Sequence, residues 1–417
     1  MFRRPPSTRL TAAGRLAFAF LWLFICSFPI EKTAVPGLGN LSKVLGTFAL
    51  GAGFLAVLID GRIRVLTRAY AVLGLFALWT AITLRWSLDP SATAMKAVTC
   101  FQLLGMAWLI WEFCAEERHV IWLMQAYLFG TLCAAANTLV RYQLAHQTYY
   151  RRYAPDGFDP NDFALTLALS IPMSYALALR AKGRRSWFYW AQLALVCLSV
   201  VLSASRTGFL ASCVAASIIP LTFASTPRKQ KLLIVTGAIA AMVCLAAVVP
   251  ASSWQRLSTI GAEVKSGSLN DRGLIWRAGL QVYRDHWFAG VGSGAYPRSV
   301  EPMLGWPTGW AIVAHNTFLS VLVETGIVGF LLFLSFLTLL VRVILRMQGL
   351  SRMVWAVTLM VWFIGVNTLT WEVRKPTWLI FALALTQARF ARAQSRPRLR
   401  PQQIPVAPQW ADLEVRA

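Results

Sequence analysis

About twelve apolar stretches recur along the chain, near residues 13–30, 38–59, 65–84, 95–114, 120–140, 163–179, 187–204, 208–224, 232–250, 316–341, 353–370 and 376–391. Each approaches the roughly 20 residues that a helix needs to cross a hydrocarbon core about 30 Å thick. In lipid, every backbone amide must be satisfied inside the protein, which leaves the α-helix as the form available to such stretches. The expected fold is all-α: a polytopic membrane helical bundle of about 12 transmembrane helices. The stretches at 187–204 and 208–224 nearly fuse, but about 35 apolar residues are too many for one crossing, and Ser205-Arg206-Thr207-Gly208 interrupts them. Composition agrees, with 57% of the 417 residues hydrophobic and 14% charged, against about 45–50% and 25% in soluble domains.

The chain carries 40 Lys and Arg against 17 Asp and Glu, a net +23. Such an excess can bind a polyanion or orient a membrane protein, and its distribution decides between them. Twenty-four basic residues fall in alternate loops on one side, among them Arg62, Arg64, Arg68, Arg180, Arg184, Arg228, Lys229, Arg342, Arg346 and Arg389. The other side holds sixteen, six of them in a long loop that translocates regardless of charge. Both termini are therefore expected in the cytoplasm, in agreement with an even number of spans, and nucleic acid is excluded as a partner. A basic N-terminus before the first stretch imitates a signal peptide, but Glu31-Lys32 follows Ile30 with no small-residue cleavage site, so the stretch reads as a span. The seven cysteines lie within or at the ends of spans, which supports neither a disulfide framework nor a thiolate metal site. Trp86, Trp111, Trp187 and Trp378 near span ends read as an interfacial belt. Residues 1–395 are expected to form one transmembrane domain and 396–417, rich in Pro, Gln and Arg, a disordered cytoplasmic tail.

Polar chemistry concentrates on the outer side. The segment 251–315, between the ninth and tenth spans, is too polar to cross the membrane and reads as a long outward loop. It contains a helical pattern at Leu274, Ile275, Ala278, Leu280, Gln281 and Val282, then Gly290-Val291-Gly292-Ser293-Gly294. No strand precedes that glycine run, so it reads as a flexible turn rather than a phosphate loop. His315 stands where the loop re-enters the membrane, in Ala314-His315-Asn316-Thr317. A helix N-terminus and nearby arginines keep an imidazole neutral, the form a general base needs; an interfacial capping histidine is the other reading. Arg206 sits in a tight outward connection, against the inside-positive trend, either binding an anion through its planar fork or snorkelling to headgroups. Arg272 and Arg277 add outward charge, yet five residues place them about 140° apart on a helix, so they do not form one clamp. Asp156, Asp159 and Asp162 could ligate Mg²⁺ or Ca²⁺, but Asp159-Pro160-Asn161-Asp162 is foremost a turn and helix start.

These segments, taken in order, resemble the O-antigen ligase family of membrane-embedded C-type glycosyltransferases. His315-Asn316 followed by Gly326 and Gly329 is similar to its His-Asn…Gly-x-x-Gly signature, and Ser205 to Leu210 to its Arg-x-x-x-Leu segment. Arg272…Trp276, followed by Gly290-Val291-Gly292, is similar to its Arg…Trp…Gly-Val-Gly pattern, and Gly157 to Asn161 before Ile171-Pro172 also fits. The matching motifs cover about 200–330 and 157–172. The resemblance implies an inverting, metal-independent enzyme without a cofactor or nucleotide-sugar donor. It would take a glycan from undecaprenyl diphosphate at the periplasmic face of the bacterial inner membrane and pass it to a sugar of lipid A–core, completing lipopolysaccharide. It implies His315 as base and Arg206 and Arg272 on the diphosphate, with Arg277, Asn316 and Glu324 as further substrate-binding candidates; Glu324 could equally be structural. An O-antigen or exopolysaccharide polymerase is the alternative within the family, and a protein O-oligosaccharyltransferase fits less well, since the long loop lacks room for an extra domain. A transporter of lipid-linked glycans would show repeated halves and midplane charges, whereas charge here gathers at the outer interface.

Overall fold

Every apolar stretch is helical. The computed structural model describes residues 9–31, 39–144, 152–224, 226–259, 272–305 and 312–395, with the short segments 2–3 and 34–35. Helices α1 (Ala12–Cys26), α2 (Leu41–Asp60), α3 (Arg68–Ile82), α4 (Pro90–Phe113), α5 (Glu117–Leu144), α6 (Pro160–Arg180) and α7 (Arg184–Leu202) take the first seven stretches. The eighth is shared by α8 (Arg206–Ala216) and α9 (Ile218–Phe223), and α10 (Arg228–Val248) is the ninth. The outward loop contributes α11 (Ala251–Ser258), α12 (Arg272–Asp285) and α13 (Tyr296–Leu304); α14 (Thr317–Leu345), α15 (Gly349–Val366) and α16 (Lys375–Ser395) complete the bundle. Two-residue strand pairs, Phe2–Arg3 with Arg62–Ile63 and Ala34–Val35 with Gly39–Asn40, are the departures from an all-α chain among the described residues.

By length and composition, eight of these segments can cross a membrane, with α8 and α9 counted as one. The set omits α1 and α3, which have 15 residues each, and also α10 and α16. The chain is thus a multi-pass membrane bundle; among the described residues eight segments meet this criterion, against the twelve crossings expected. The segments 260–271, 306–311 and 396–417, and with them Asp271, Lys265 and the expected tail, lie outside the described residues, as does His146.

Loops expected on one side do meet at one end. There Arg180 faces Glu117 at 3.7 Å and donates to Ser351, Gln387 donates to Glu117, and the Arg64 amide donates to Glu112. Phe2–Arg3 beside Arg62–Ile63 places the N-terminal segment at the same end. The opposite end joins Glu31 to Lys375, Asp162 to Arg374, Asn161 to Ser205 and Thr207 to Thr368. Helix α6 runs through the middle, with 89% of its apolar window buried. Small residues let its neighbours close on it: a Cβ on Gly208 would lie 2.2 Å from Ala164, and one on Gly365 2.2 Å from Leu165. The interfacial reading of tryptophan holds for Trp187 and Trp86, 63% and 38% exposed, and fails for Trp111 and Trp378. The last two are buried because each indole N–H has a carbonyl to donate to, on Val65 and Glu372.

Candidate active site

The end opposite the basic loops gathers the predicted residues. Helix α14 begins with Asn316 as its cap, the side chain accepting from the Leu319 amide at 3.0 Å while its own amide group reaches the Asn367 carbonyl at 3.5 Å. Asn316 thereby shapes the helix start that positions His315. His315 precedes the cap in the left-handed region, at φ 47°. Its backbone cost, of order 1–3 kcal/mol, is of the kind met at sites where a side chain must be aimed. The same device recurs at α8: Ala204 (φ 48°), then Ser205 capping through the Gly208 amide, then Arg206. These are the two non-glycine residues with positive φ among the described residues.

Helix α12 supplies Arg272. Its buried stripe, Ile275, Ala278 and Val282, packs with Val291, Tyr296, Val300 and Ala314, as the sequence pattern requires. The Trp276 indole donates to the Ala314 carbonyl at 2.9 Å, immediately before His315. Residues four apart share a helix face, so the bond that anchors Trp276 also directs half-buried Arg272 toward His315. Arg277 lies off that face and is exposed. Burial and the Arg272 guanidinium hold His315 below the ordinary imidazole value, opposed by Asp159 and Asp162. Burial likewise lowers Arg272, with Asp159 opposing and Arg206 adding to the effect. Arg206, Arg272, His315 and the two aspartates thus share one electrostatic neighbourhood.

Helix α6 starts in the same place. Asp159 caps it through the amides of Asn161 and Asp162, and Asp162 accepts from the Trp371 indole at 2.8 Å and from Arg374 at 2.7 Å. Asp156 instead contacts Arg141. The three aspartates are dispersed among capping and pairing, as the turn reading expected, and no group of three His, Cys, Asp or Glu arranged for a metal occurs among the described residues. Three arginines and a threonine that sequence reasoning passed over also belong here. Arg152 donates to Asn161 and the Ser203 carbonyl, Arg256 to the Ala204 carbonyl, and Thr368 to Thr207; Arg374 is the third.

Glu324 lies elsewhere. Lys96 bridges it to Glu372, at 2.5 Å from each carboxylate, and Ser320 donates to Glu372. All three charged side chains are largely buried, so the structural role of Glu324 is the one observed. The triad fastens a break in α14, where Gly326 adopts φ 62° and ψ −169°. Into that break the outward loop inserts its backbone. The Val291 and Gly292 amides donate to the carbonyls of Val323 and Glu324, and the Ile327 amide donates to Trp287. The glycine run 290–294 is consequently a docked, buried turn, which corrects the expected flexible one. A Cβ on Gly290 would stand 2.4 Å from the Glu324 backbone, and one on Gly326 2.3 Å from the Phe288 carbonyl oxygen. Gly326→Ala is expected to undock the loop and abolish accumulation of folded protein, read as loss of a monodisperse peak after detergent extraction.

The arrangement is that of a multi-pass, membrane-embedded protein with two arginines and one neutral histidine gathered at one end of the bundle. Residues 191–334 match the family model described as O-antigen ligase, a stretch containing Arg206, Arg272, His315 and both signature glycines. The resemblance read from those motifs is thereby supported over this segment, about a third of the chain. It is also similar to the exopolysaccharide production protein ExoQ of Rhizobium meliloti (strain 1021), at 27% identity over 306 residues. That similarity covers 66% of each chain, just under two thirds of the relative's length.

Proposed function

We propose that this protein is a glycosyltransferase that moves a glycan from undecaprenyl diphosphate to a hydroxyl of a second glycan, at the periplasmic face of the bacterial inner membrane. The observation that supports it is the convergence of Arg206, Arg272 and His315 at the end opposite the basic loops. A lipid diphosphate already activates the anomeric carbon, so the protein need supply no nucleophile of its own. His315 takes the acceptor hydroxyl proton, the acceptor oxygen bonds to the anomeric carbon from the face opposite the leaving group, and the carbon–oxygen bond to phosphate breaks. The electron pair departs onto the diphosphate, whose growing charge Arg206 and Arg272 offset in a water-poor site. The outcome is inversion, with metal-independent chemistry. The N-termini of α8 and α14 add their partial positive charge to the same place.

The first reading of the acceptor is a sugar of lipid A–core, making the protein an O-antigen ligase. The similarity to an exopolysaccharide production protein favours a second, in which the acceptor is another lipid-linked glycan and the protein a polymerase. A null strain separates them: long chains left on the lipid carrier mark a ligase, and single repeat units mark a polymerase. Arg206→Lys keeps the charge and loses the bidentate fork, so transfer is expected to fall about 10–100-fold in membranes with normal protein levels. Full activity in that variant would count against bidentate binding of the diphosphate.

A further inference from the structure

Beside the candidate catalytic residues lies a cavity of about 160 Å³ that none of the steps above uses, lined in part by Glu31, Phe158, Asp159, Asp162, Trp371 and Arg374. Every lining loop comes from the end that holds His315: the α1–α2 connection, the start of α6, and the segment between α15 and α16. We infer that this cavity is the subsite for one pyranose ring of the acceptor glycan, with Asp162 and Arg374 binding its hydroxyls. The inference rests on the proposed glycan transfer and specifies where the accepting sugar sits.

Size, chemistry and position each point the same way. Pockets that enclose a whole drug-sized ligand measure about 300–1,000 Å³, so this one has room for one small ring rather than a chain. A pyranose presents a rim of hydroxyls and apolar C–H faces, and the lining offers carboxylates, a guanidinium and aromatic rings together. Asp162 is held rigidly, one oxygen by the Trp371 indole and the other by Arg374. Each carboxylate oxygen has more than one acceptor position, so both can still accept from a sugar hydroxyl. Phe158 is half-buried, and its ring meets that of Phe163 edge-on at 6.1 Å. Asp159 and Asp162 are also the two carboxylates that act on His315, and Asp159 acts on Arg272. Trp371 on the cavity wall donates its backbone amide to Thr317 at 2.8 Å, two residues from His315, so a ring bound there sits at the end of the bundle that holds the base.

The test uses the full-length protein in lipid nanodiscs and saturation-transfer NMR with methyl glycosides of glucose, galactose, mannose and N-acetylglucosamine. At least one glycoside is expected to receive signal, weakened about fivefold or more by Asp162→Asn, which removes a charge-assisted hydrogen bond, and also weakened by Phe158→Ala. Arg206→Lys and His315→Ala are expected to retain it. No signal from any of the four on the wild-type protein, or a signal that survives both cavity variants, overturns the inference. In the transfer reaction, Asp162→Asn is expected to raise KM for the acceptor about tenfold with KM for the lipid-diphosphate donor unchanged. The reverse split assigns the ring to the donor and also overturns it. Absence of any transfer from a lipid-diphosphate donor by the wild-type protein would instead remove the proposed function while leaving the glycoside result standing.

Discussion

His315→Ala is expected to lower glycan transfer by about 10²–10⁴-fold, the usual worth of a positioned general base, in protein that still folds and inserts. The His315 side chain is half-buried and follows no helical register, so its loss opens no large void. The measurement is lipid-linked glycan consumed and acceptor elongated in membranes matched for protein level; undiminished transfer would falsify the base assignment. A pH profile sharpens the test. Burial and Arg272 depress the His315 pKa below its ordinary value of about 6.5, so the base is already neutral at pH 7. Activity should stay level through neutral pH and fall only as the pH drops through that depressed value. Arg272→Gln removes a cation that lowers the pKa, so its acid limb should move toward neutrality while its maximal rate also falls.

Lys96→Met is expected to cost about 3–5 kcal/mol of stability. It leaves Glu324 and Glu372, whose side chains are 4% and 2% exposed, facing each other without the cation that bridges them. Removing one partner of a buried ion pair costs about 3–5 kcal/mol, because the remaining charge stays buried and uncompensated. The break in α14 and the docked turn 290–294 depend on this triad, so the outward loop should become protease-sensitive first. Thermal unfolding in detergent, followed by the accessibility of residues 286–294, checks both parts. Replacing both glutamates by glutamine in the Lys96→Met background removes the unpaired charges and is expected to recover much of the loss. No recovery would mean that packing of the lysine stem, rather than charge, holds the junction.

How much of this was legible beforehand follows from the range of each interaction. Apolar length and alternating basic loops are local and additive along the chain, and they correctly grouped Arg62, Arg180 and Arg389 at one end and Arg206 and His315 at the other. The Arg-x-x-x-Trp spacing was likewise readable, because residues four apart share a helix face whatever the helix packs against. Lys96 and Glu324 could have been paired from sequence, as charges inside apolar spans seek one another; Glu372, outside any span, offered no such signal. The cavity walls were not legible, since Glu31, Asp162 and Arg374 come from three separate loops.

From the sequence alone came the all-α membrane class, the shared end of each set of loops, and the three residues proposed to carry the chemistry. Hydrophobic length and helical periodicity are properties of single segments, which no distant contact needs to supply. Only the tertiary structure decided that Asn316 is a cap and Glu324 a buried clamp, and that the glycine turn is locked into α14. Each of those outcomes depends on a hydrogen bond or ion pair between segments far apart in the chain, whose partner becomes definite only when the helices pack.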